Sequence, residues 1–345
     1  MSDTKHLNPQ VNVSRSTAAR MWLIFSCAFL AVLQSSAGDS GNSFLIAFAA
    51  LVCALMAELL MTYRTYQFGK IRDGSAAASA LVLALLLPNQ ISPWYAALGA
   101  AFAMLVIKHG FGGLGSNWMN PALGGWLFIR FSWPYAFSQA LTDSAGADPL
   151  PDILVPGNAS VQLSMNAGSV DQMISGFLNQ YILPFFNAAL PQGYIDLFTM
   201  NSPGIIADRA GFSIVICVAI IAACQISRSW LSILYLAVFG LLVRILGDLP
   251  LWWNGDVIFS LLSGGTLITA FILVADPSSG AKSTQGNAVV VILAAVLGMI
   301  FRYFGNVLYG CFFAVALVNA LTPLVRKVEH QLLYRQPSVN AGAEI

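Results

Sequence analysis

The sequence predicts an all-α membrane protein that crosses the bilayer about ten times. Of its 345 residues, 57% are hydrophobic and only 9% are charged, whereas soluble domains carry about 25% charged residues. The long apolar runs are continuous rather than alternating, which is typical of helical spans of about 20 residues and not of a transmembrane barrel. This composition excludes a soluble enzyme, a nucleic-acid-binding protein and a disordered chain.

The apolar runs predict ten spans with short connections and one long loop between them. We expect the spans at residues 21–37, 44–62, 76–92, 94–108, 120–138, 211–226, 230–247, 257–275, 286–302 and 306–324. A polar N-terminal segment, 1–20, and a C-terminal tail, 327–345, flank them. The long loop, 139–205, is polar up to residue 177, and its mixed composition from residue 178 onward is compatible with an interfacial segment.

The basic residues predict the orientation, because cytoplasmic loops of membrane proteins carry an excess of Lys and Arg. With the N-terminus inside, most of the 16 Lys and Arg residues fall on the cytoplasmic side, and most of the 15 Asp and Glu residues fall outside. The opposite orientation places the same cations outside. We therefore expect both termini in the cytoplasm and the loop 139–205 on the extracytoplasmic side.

Five spans precede the long loop and five follow it, which predicts two repeats of opposite orientation, 21–138 and 206–326. Inverted repeats place their binding sites where interrupted helices meet. The third span opens at Asp73-Gly74-Ser75 and loses its apolar run at Pro88, and the eighth contains Ser263-Gly264-Gly265-Thr266 and ends at Asp276-Pro277. Close helix packing through small residues is the alternative for the glycine pair.

An Asn-Pro pair opens the fifth span, since Asn120 suits the N-cap position and Pro121 the first helical turn. Free backbone N–H groups at such starts favour an anionic or electron-rich ligand, such as a phosphate or the carbonyl edge of a flavin. Both interrupted regions therefore supply candidate cofactor-binding residues. They are Asn117 and Asn120 near the fifth span and Ser263, Gly264 and Thr266 in the eighth.

Few ionisable residues lie within or at the ends of the spans. Glu58, Arg130, Arg244 and Arg302 are the examples. Charges at membrane depth are costly and indicate functional sites, but long basic side chains also reach toward the interface, and both interpretations stand. The five cysteines lack CxxC spacing and the three histidines are scattered, so we expect no catalytic residue set, no metal site and no iron–sulfur cluster.

Several motifs together resemble the RnfD/NqrB family, the membrane subunits of the Rnf complex and of the sodium-pumping NADH:quinone oxidoreductase. Residues 112–122, GGLGSNWMNPA, resemble the signature GGLGxNxFNPA, and residues 73–76, DGSA, resemble the start of D-x-SALLTGLLLA. Residues 262–277 are similar to LLSGAT…AFFILTDP, and residues 302–305, RYFG, to IRxFGG. The resemblance runs from about residue 8 to residue 328, is weakest between 140 and 205, and is closer to the Rnf member of the family, RnfD.

The resemblance implies electron transfer coupled to the movement of Na⁺ or H⁺ across a bacterial inner membrane. Family members carry FMN in phosphoester linkage to the Thr of D-x-x-[ST]-x-A-T, usually followed by Pro-Leu, on the loop after the fifth span. A riboflavin-type site near the double-Asn signature is also known in the family. Because this chain has no NADH-binding fingerprint, electrons are expected to come from iron–sulfur and flavin subunits of the same ion-translocating oxidoreductase complex.

The flavin-attachment motif departs from the family pattern. Residues 142–150 read TDSAGADPL, so Asp148 stands where the acceptor Thr is expected, with Ser144 four residues before it. A carboxylate forms a mixed anhydride, which hydrolyses readily, and its charge repels the phosphate. We keep Ser144 and Asp148 as candidate cofactor-binding residues and predict that a flavin (FMN or riboflavin) is held non-covalently, if one is bound. Attachment at another loop hydroxyl is the alternative.

Two other functions stay open on the sequence. The interrupted helices also suit an inverted-repeat transporter or channel, and a subunit that has lost its cofactor serves only in assembly. Flavin in the purified chain favours the electron-transfer function, and solute uptake by the chain alone favours the transporter.

Overall fold

The computed structural model describes thirteen ranges of the chain. They are residues 17–39, 41–65, 73–113, 117–145, 169–186, 194–196, 198, 204–224, 229–247, 257–276, 279–281, 283–306 and 308–334. Within these ranges the regular structure is helical, and the extended pairing is limited to an isolated bridge between Pro88 and Ile205. Five of the helices are long and apolar enough to cross a membrane, which confirms an all-α membrane protein.

The helices before the long loop pack around one short, buried helix. They are α1 (Thr17–Gly38), α2 (Asn42–Thr65), α3 (Ser75–Leu85), α4 (Pro93–Phe102), α5 (Pro121–Ser132) and α6 (Pro134–Ala145). A π-helical segment, Ala103–His109, continues α4. The short helix is α3, which is rich in alanine, has all but one of its residues buried, and contacts α1, α2 and α5.

The helices that follow are α7 to α13. They are α7 (Ser169–Phe177), α8 (Gly211–Ala223), α9 (Ser229–Gly247), α10 (Val257–Leu262), α11 (Thr266–Ile268), α12 (Thr284–Phe304) and α13 (Gly310–Tyr334). Shorter segments extend three of them: Leu178–Ile182 and Leu183–Phe186 continue α7, Asp208–Ala210 precedes α8, and Thr269–Leu273 continues α11 as a π-helical turn. The five long apolar helices are α1, α2, α9, α12 and α13.

The predicted spans and the observed helices differ most at three places. The third span is helical only over Ser75–Leu85, because Pro88 and Pro93 lie in and after the turn that follows it. The fifth span is two helices, since Trp133 leaves the helical conformation and Pro134 starts α6. The eighth is broken between Leu262 and Thr266. The layout of ten spans in two inverted repeats stays a prediction.

The two halves of the chain are joined at the end of α3. Ile206 N donates to Leu87 O at 2.9 Å, and Ala207 N donates to Leu85 O at 3.0 Å. These bonds satisfy carbonyl groups that the end of a helix leaves free. The segment 204–210, which leads into α8, therefore lies against the C-terminal end of α3, and Asp208 lies within it.

Candidate functional site

Two interrupted spans begin their buried helices in the same way. The residue before α3 is Gly74, with φ 71° and ψ 0°, and the residue before α11 is Gly265, with φ 62° and ψ 20°. Side-chain-bearing residues rarely adopt this left-handed conformation, so glycine permits both turns. The first helical residue carries a hydroxyl in each case, Ser75 in α3 and Thr266 in α11.

A buried charged group surrounds the start of α3, and we call Glu58, Ser75, Lys108 and His109 the first-half cluster. Lys108 Nζ donates to Ser75 Oγ at 2.7 Å and to Glu58 Oε1 at 2.8 Å. His109 Nε2 lies 2.8 Å from Glu58 Oε2. The side chains of Glu58 and Lys108 are each 3% exposed, and that of His109 is 13% exposed.

Local structure brings the first-half cluster together from three elements. Glu58 lies on α2, whose Thr62 hydroxyl donates to the Glu58 carbonyl at 2.8 Å. Lys108 and His109 are the last two residues of the π-helical segment after α4, a type of distortion that is frequent at functional sites. Asp73 Oδ1 accepts from Ser75 N at 2.8 Å, which satisfies one of the N–H groups that a helix start leaves free.

A carboxylate occupies the start of α11 directly. Asp208 Oδ2 accepts from Gly264 N at 3.0 Å, and Asp208 Oδ1 accepts from Gly265 N at 2.9 Å. The side chain is buried. Because the N-terminal end of a helix attracts negative charge, Asp208 stands where an anionic ligand would otherwise bind.

The buried side chain of Arg302 holds the other side of this start, and we call Asp208, Ser263, Thr266 and Arg302 the second-half cluster. The Arg302 guanidinium donates to Thr266 Oγ1 at 2.6 Å, and also to Ser263 Oγ and to the carbonyl of Ser260. Its central carbon lies 5.9 Å from the centre of the Phe239 ring. A cation at membrane depth is thereby given hydrogen-bond acceptors and an aromatic face.

The basic residues of the two clusters hold corresponding places in the chain. Lys108 follows its hydroxyl partner Ser75 by 33 residues, and Arg302 follows Thr266 by 36. Each lies near the end of the long helical element that follows the interrupted span. The pattern of glycine, hydroxyl and distant cation therefore occurs once in each half.

The two predicted asparagines lie together at the start of α5. Asn120 caps the helix as expected, because its Oδ1 accepts from Ala122 N at 3.0 Å. Its amide nitrogen donates to Asp276 Oδ2 at 3.0 Å, which joins α5 to the end of the eighth predicted span. In the amide orientation that satisfies both contacts, Asn117 donates to the carbonyls of Gly113 and Ile107 at 3.2 and 3.1 Å.

The structure therefore divides the candidate cofactor-binding residues between separate places. Ser263, Gly264 and Thr266 belong to the start of α11, whereas Asn117 and Asn120 belong to the start of α5. Only the backbone of Ser144, within α6, is described, and Asp148 lies outside the described residues.

These residues do not fit a flavin in the described part of the chain. The polar groups of Asn117, Asn120, Ser263 and Thr266 and the N–H of Gly264 have partners within the protein. A cavity of about 310 Å³ between α1, α3, α8 and α11 is lined by apolar side chains and by Cys27 and Cys217. It offers no hydrogen-bonding partners for the polar edge of a flavin ring.

The sequence flagged Glu58 and Arg302 through their charge within spans, but it did not single out Lys108, His109 or Asp208. Lys108 and His109 end an apolar run and look like ordinary cytoplasmic residues, and Asp208 precedes the predicted sixth span. Their partners lie 33 to 57 residues away in the chain. A buried carboxylate in a neighbouring span was the signal that could have pointed to them.

A helical membrane chain with two interrupted spans and buried charges at their starts belongs to the class of polytopic transport proteins. More specifically, the chain belongs to the NQR2, RnfD, RnfE family, whose model matches residues 4–335. This confirms the resemblance noted from the motifs.

Three curated relatives, each a D subunit of an ion-translocating complex, illustrate the similarity. The chain is 26% identical to that of the Na(+)-translocating ferredoxin:NAD(+) oxidoreductase complex of Acetobacterium woodii, over 79% of this chain and 77% of the relative. It is 24% identical to that of the proton-translocating ferredoxin:NAD(+) oxidoreductase complex of Clostridium ljungdahlii, over 93% and 92%. It is 30% identical to that of the ion-translocating oxidoreductase complex of Aeromonas hydrophila, over 83% and 85%.

Proposed function

We propose that the chain is the D subunit of an Rnf-like electron-transport complex in a bacterial inner membrane. There it couples electron transfer through flavin to the translocation of Na⁺ or H⁺. The family match over residues 4–335 supports this, as do relatives named for both ions. The proposal includes other membrane, iron–sulfur and flavin subunits as partners.

The observation that carries the proposal is the matched pair of helix starts. Gly74-Ser75 with Lys108 and Gly265-Thr266 with Arg302 are the arrangement expected of two repeats, 21–138 and 206–326. We infer that the repeats are inverted, with both termini in the cytoplasm and the loop 139–205 outside. The first-half cluster then faces the cytoplasmic side and the second-half cluster the opposite side.

Buried charges at these starts are suited to moving an ion. A charge at membrane depth is stable only while its partner compensates it. A cation that enters or leaves a cluster therefore changes how firmly the short helix beside it is held. We propose that the two clusters couple ion movement to a rearrangement of α3 and α11 in this way.

We also propose that the flavin is bound non-covalently, because Asp148 replaces the acceptor Thr. The flavin then belongs to the loop 139–205 or to a surface shared with partner subunits. Asn117, Asn120, Ser263, Gly264 and Thr266 enter the proposal as residues that fix helix starts, since their polar groups are engaged within the chain.

The complex, expressed with its flavin transferase and partner subunits, provides the test. We expect deletion of this chain to abolish electron-driven ion uptake by proteoliposomes that contain the complex. Solute uptake by the chain alone, without electron transfer, contradicts the proposal and favours a transporter. Assembly of a complex that pumps ions without this chain's own contribution, shown by activity of a variant with both clusters removed, favours a purely structural role.

Flavin attachment is tested separately on the same preparation. After denaturation we expect flavin to be released to the supernatant, with no fluorescence on the band of this chain. A variant with Asp148→Thr restores the acceptor hydroxyl and is the matched control for covalent attachment. Fluorescence that stays with the denatured wild-type chain contradicts the non-covalent proposal.

A further inference from the structure

The first-half cluster also bears on which ion is moved. Resting on the proposed function, we infer that the ion passed at this cluster is a proton and not Na⁺, with His109 as the residue that takes it up from the cytoplasmic side.

The surroundings of Glu58 disfavour a metal cation. A hard cation such as Na⁺ is held by several oxygen ligands. Glu58 presents one carboxylate oxygen to Lys108 Nζ and the other to His109 Nε2, each at 2.8 Å. A Na⁺ ion at either oxygen lies beside the Lys108 ammonium in a buried place, where like charges repel strongly.

The second buried carboxylate is no better suited. Both oxygens of Asp208 accept from backbone N–H groups, those of Gly264 and Gly265. The positive end of a helix start lies where a cation would have to bind. In the described part of the chain, no group of three or more His, Cys, Asp and Glu residues is arranged to hold a metal ion.

His109 has the geometry of a proton carrier. At 13% its side chain is more exposed than those of Glu58 and Lys108, at 3% each, so it is the member of the cluster that water reaches. Imidazole changes its charge between pH 5 and 8 and has two nitrogens that carry protons. A proton gained at Nδ1 is balanced by the Nε2 proton passing to Glu58 Oε2, which leaves a neutral imidazole and a neutral carboxylic acid.

Few other charges face this pair in the described residues. On α2 the further charged residue near this end is Arg64, which is exposed, and α4 carries no charged residue. Arg130 on α5 lies over the rings of Phe137 and Tyr309 at 5.3 and 5.8 Å. At the start of α3, Asp73 is bonded to Ser75.

Proton uptake therefore acts on the start of α3 through Lys108. Once Glu58 is neutral, the Lys108 ammonium loses its counter-charge and keeps Ser75 Oγ, 2.7 Å away, as its partner. A buried ammonium without a counter-charge is unstable. The proton thus alters the interaction that holds the first interrupted helix, which links proton binding to the helix rearrangement.

The test uses the whole complex in inside-out proteoliposomes, with electron transfer as the driving reaction. We expect acidification of the lumen in the absence of Na⁺, and its loss with a protonophore. In His109→Gln, which keeps a hydrogen-bonding amide but cannot titrate, we expect proton uptake to fall about tenfold or more. His330→Gln, near the end of α13, is the matched control and is expected to leave the uptake unchanged.

Each alternative outcome has its own meaning. Radioactive Na⁺ uptake that resists the protonophore overturns the inference, and this measurement needs no variant. Normal proton uptake by His109→Gln overturns it as well. Electron transfer with the protonophore present reports on the proposed function separately: if the chain is dispensable for both electron transfer and ion uptake, the proposed function fails and the inference fails with it.

Discussion

The two helix starts use an acid and a base in different ways. At the start of α3, Glu58 pairs with Lys108 directly, and its second oxygen contacts His109. At the start of α11, Asp208 accepts from the backbone while Arg302 donates to hydroxyls and to a carbonyl. A guanidinium stays charged in proteins, whereas a Glu–His contact can gain a proton. The comparison teaches that one start can change its charge and the other is fixed.

Lys108→Met is the largest expected disruption, because it leaves Glu58 buried beside His109 alone. Loss of one partner of a buried ion pair costs about 3–5 kcal/mol. Thermal unfolding of the purified complex in detergent measures the change. The double variant Lys108→Met with Glu58→Gln is expected to recover part of the loss, and a double variant as unstable as the single one contradicts the pairing.

Asp208→Asn is the matching disruption of the second start. The amide has a single acceptor oxygen for the two N–H groups of Gly264 and Gly265, so we expect a loss of about 1.5–3 kcal/mol. Protection of these two amides from hydrogen exchange, measured by mass spectrometry, should fall with it. Unchanged protection contradicts the role assigned to the carboxylate.

Arg302→Lys tests whether the fixed start needs a guanidinium. An ammonium cannot reproduce the planar fork that reaches Ser260, Ser263 and Thr266. We expect a loss of about 1–2 kcal/mol in the unfolding free energy. Arg64→Lys, at an exposed position of α2, is the control and should change little.

The hydroxyl residues sharpen the comparison with the smallest effects. Ser75→Ala and Thr266→Val each remove one acceptor for a buried cation, at about 1 kcal/mol each. If proton uptake acts through Lys108, Ser75→Ala also changes the pH dependence of ion uptake, while Thr266→Val does not. Equal effects of both variants on that pH profile argue against the difference between the two starts.

Local signals in the sequence predicted the parts of the fold that depend on backbone conformation. The break in the eighth span follows from Gly264 and Gly265, and the start of α5 from Asn120. The split of the fifth span at Pro134 was missed, because its apolar run continues across the break. The contacts within the clusters were also beyond reach, since packing of distant helices, and not chain proximity, brings Glu58 to Lys108 and Asp208 to Gly264.

The backbone bonds between the end of α3 and residues 206 and 207 have a mechanical consequence. The next residue, Asp208, is bonded to the start of α11. Three consecutive residues thus link the far end of one interrupted helix to the near end of the other. If one half rocks against the other, this link is the natural pivot, and a displacement of α3 is transmitted to α11 without passing through the long loop.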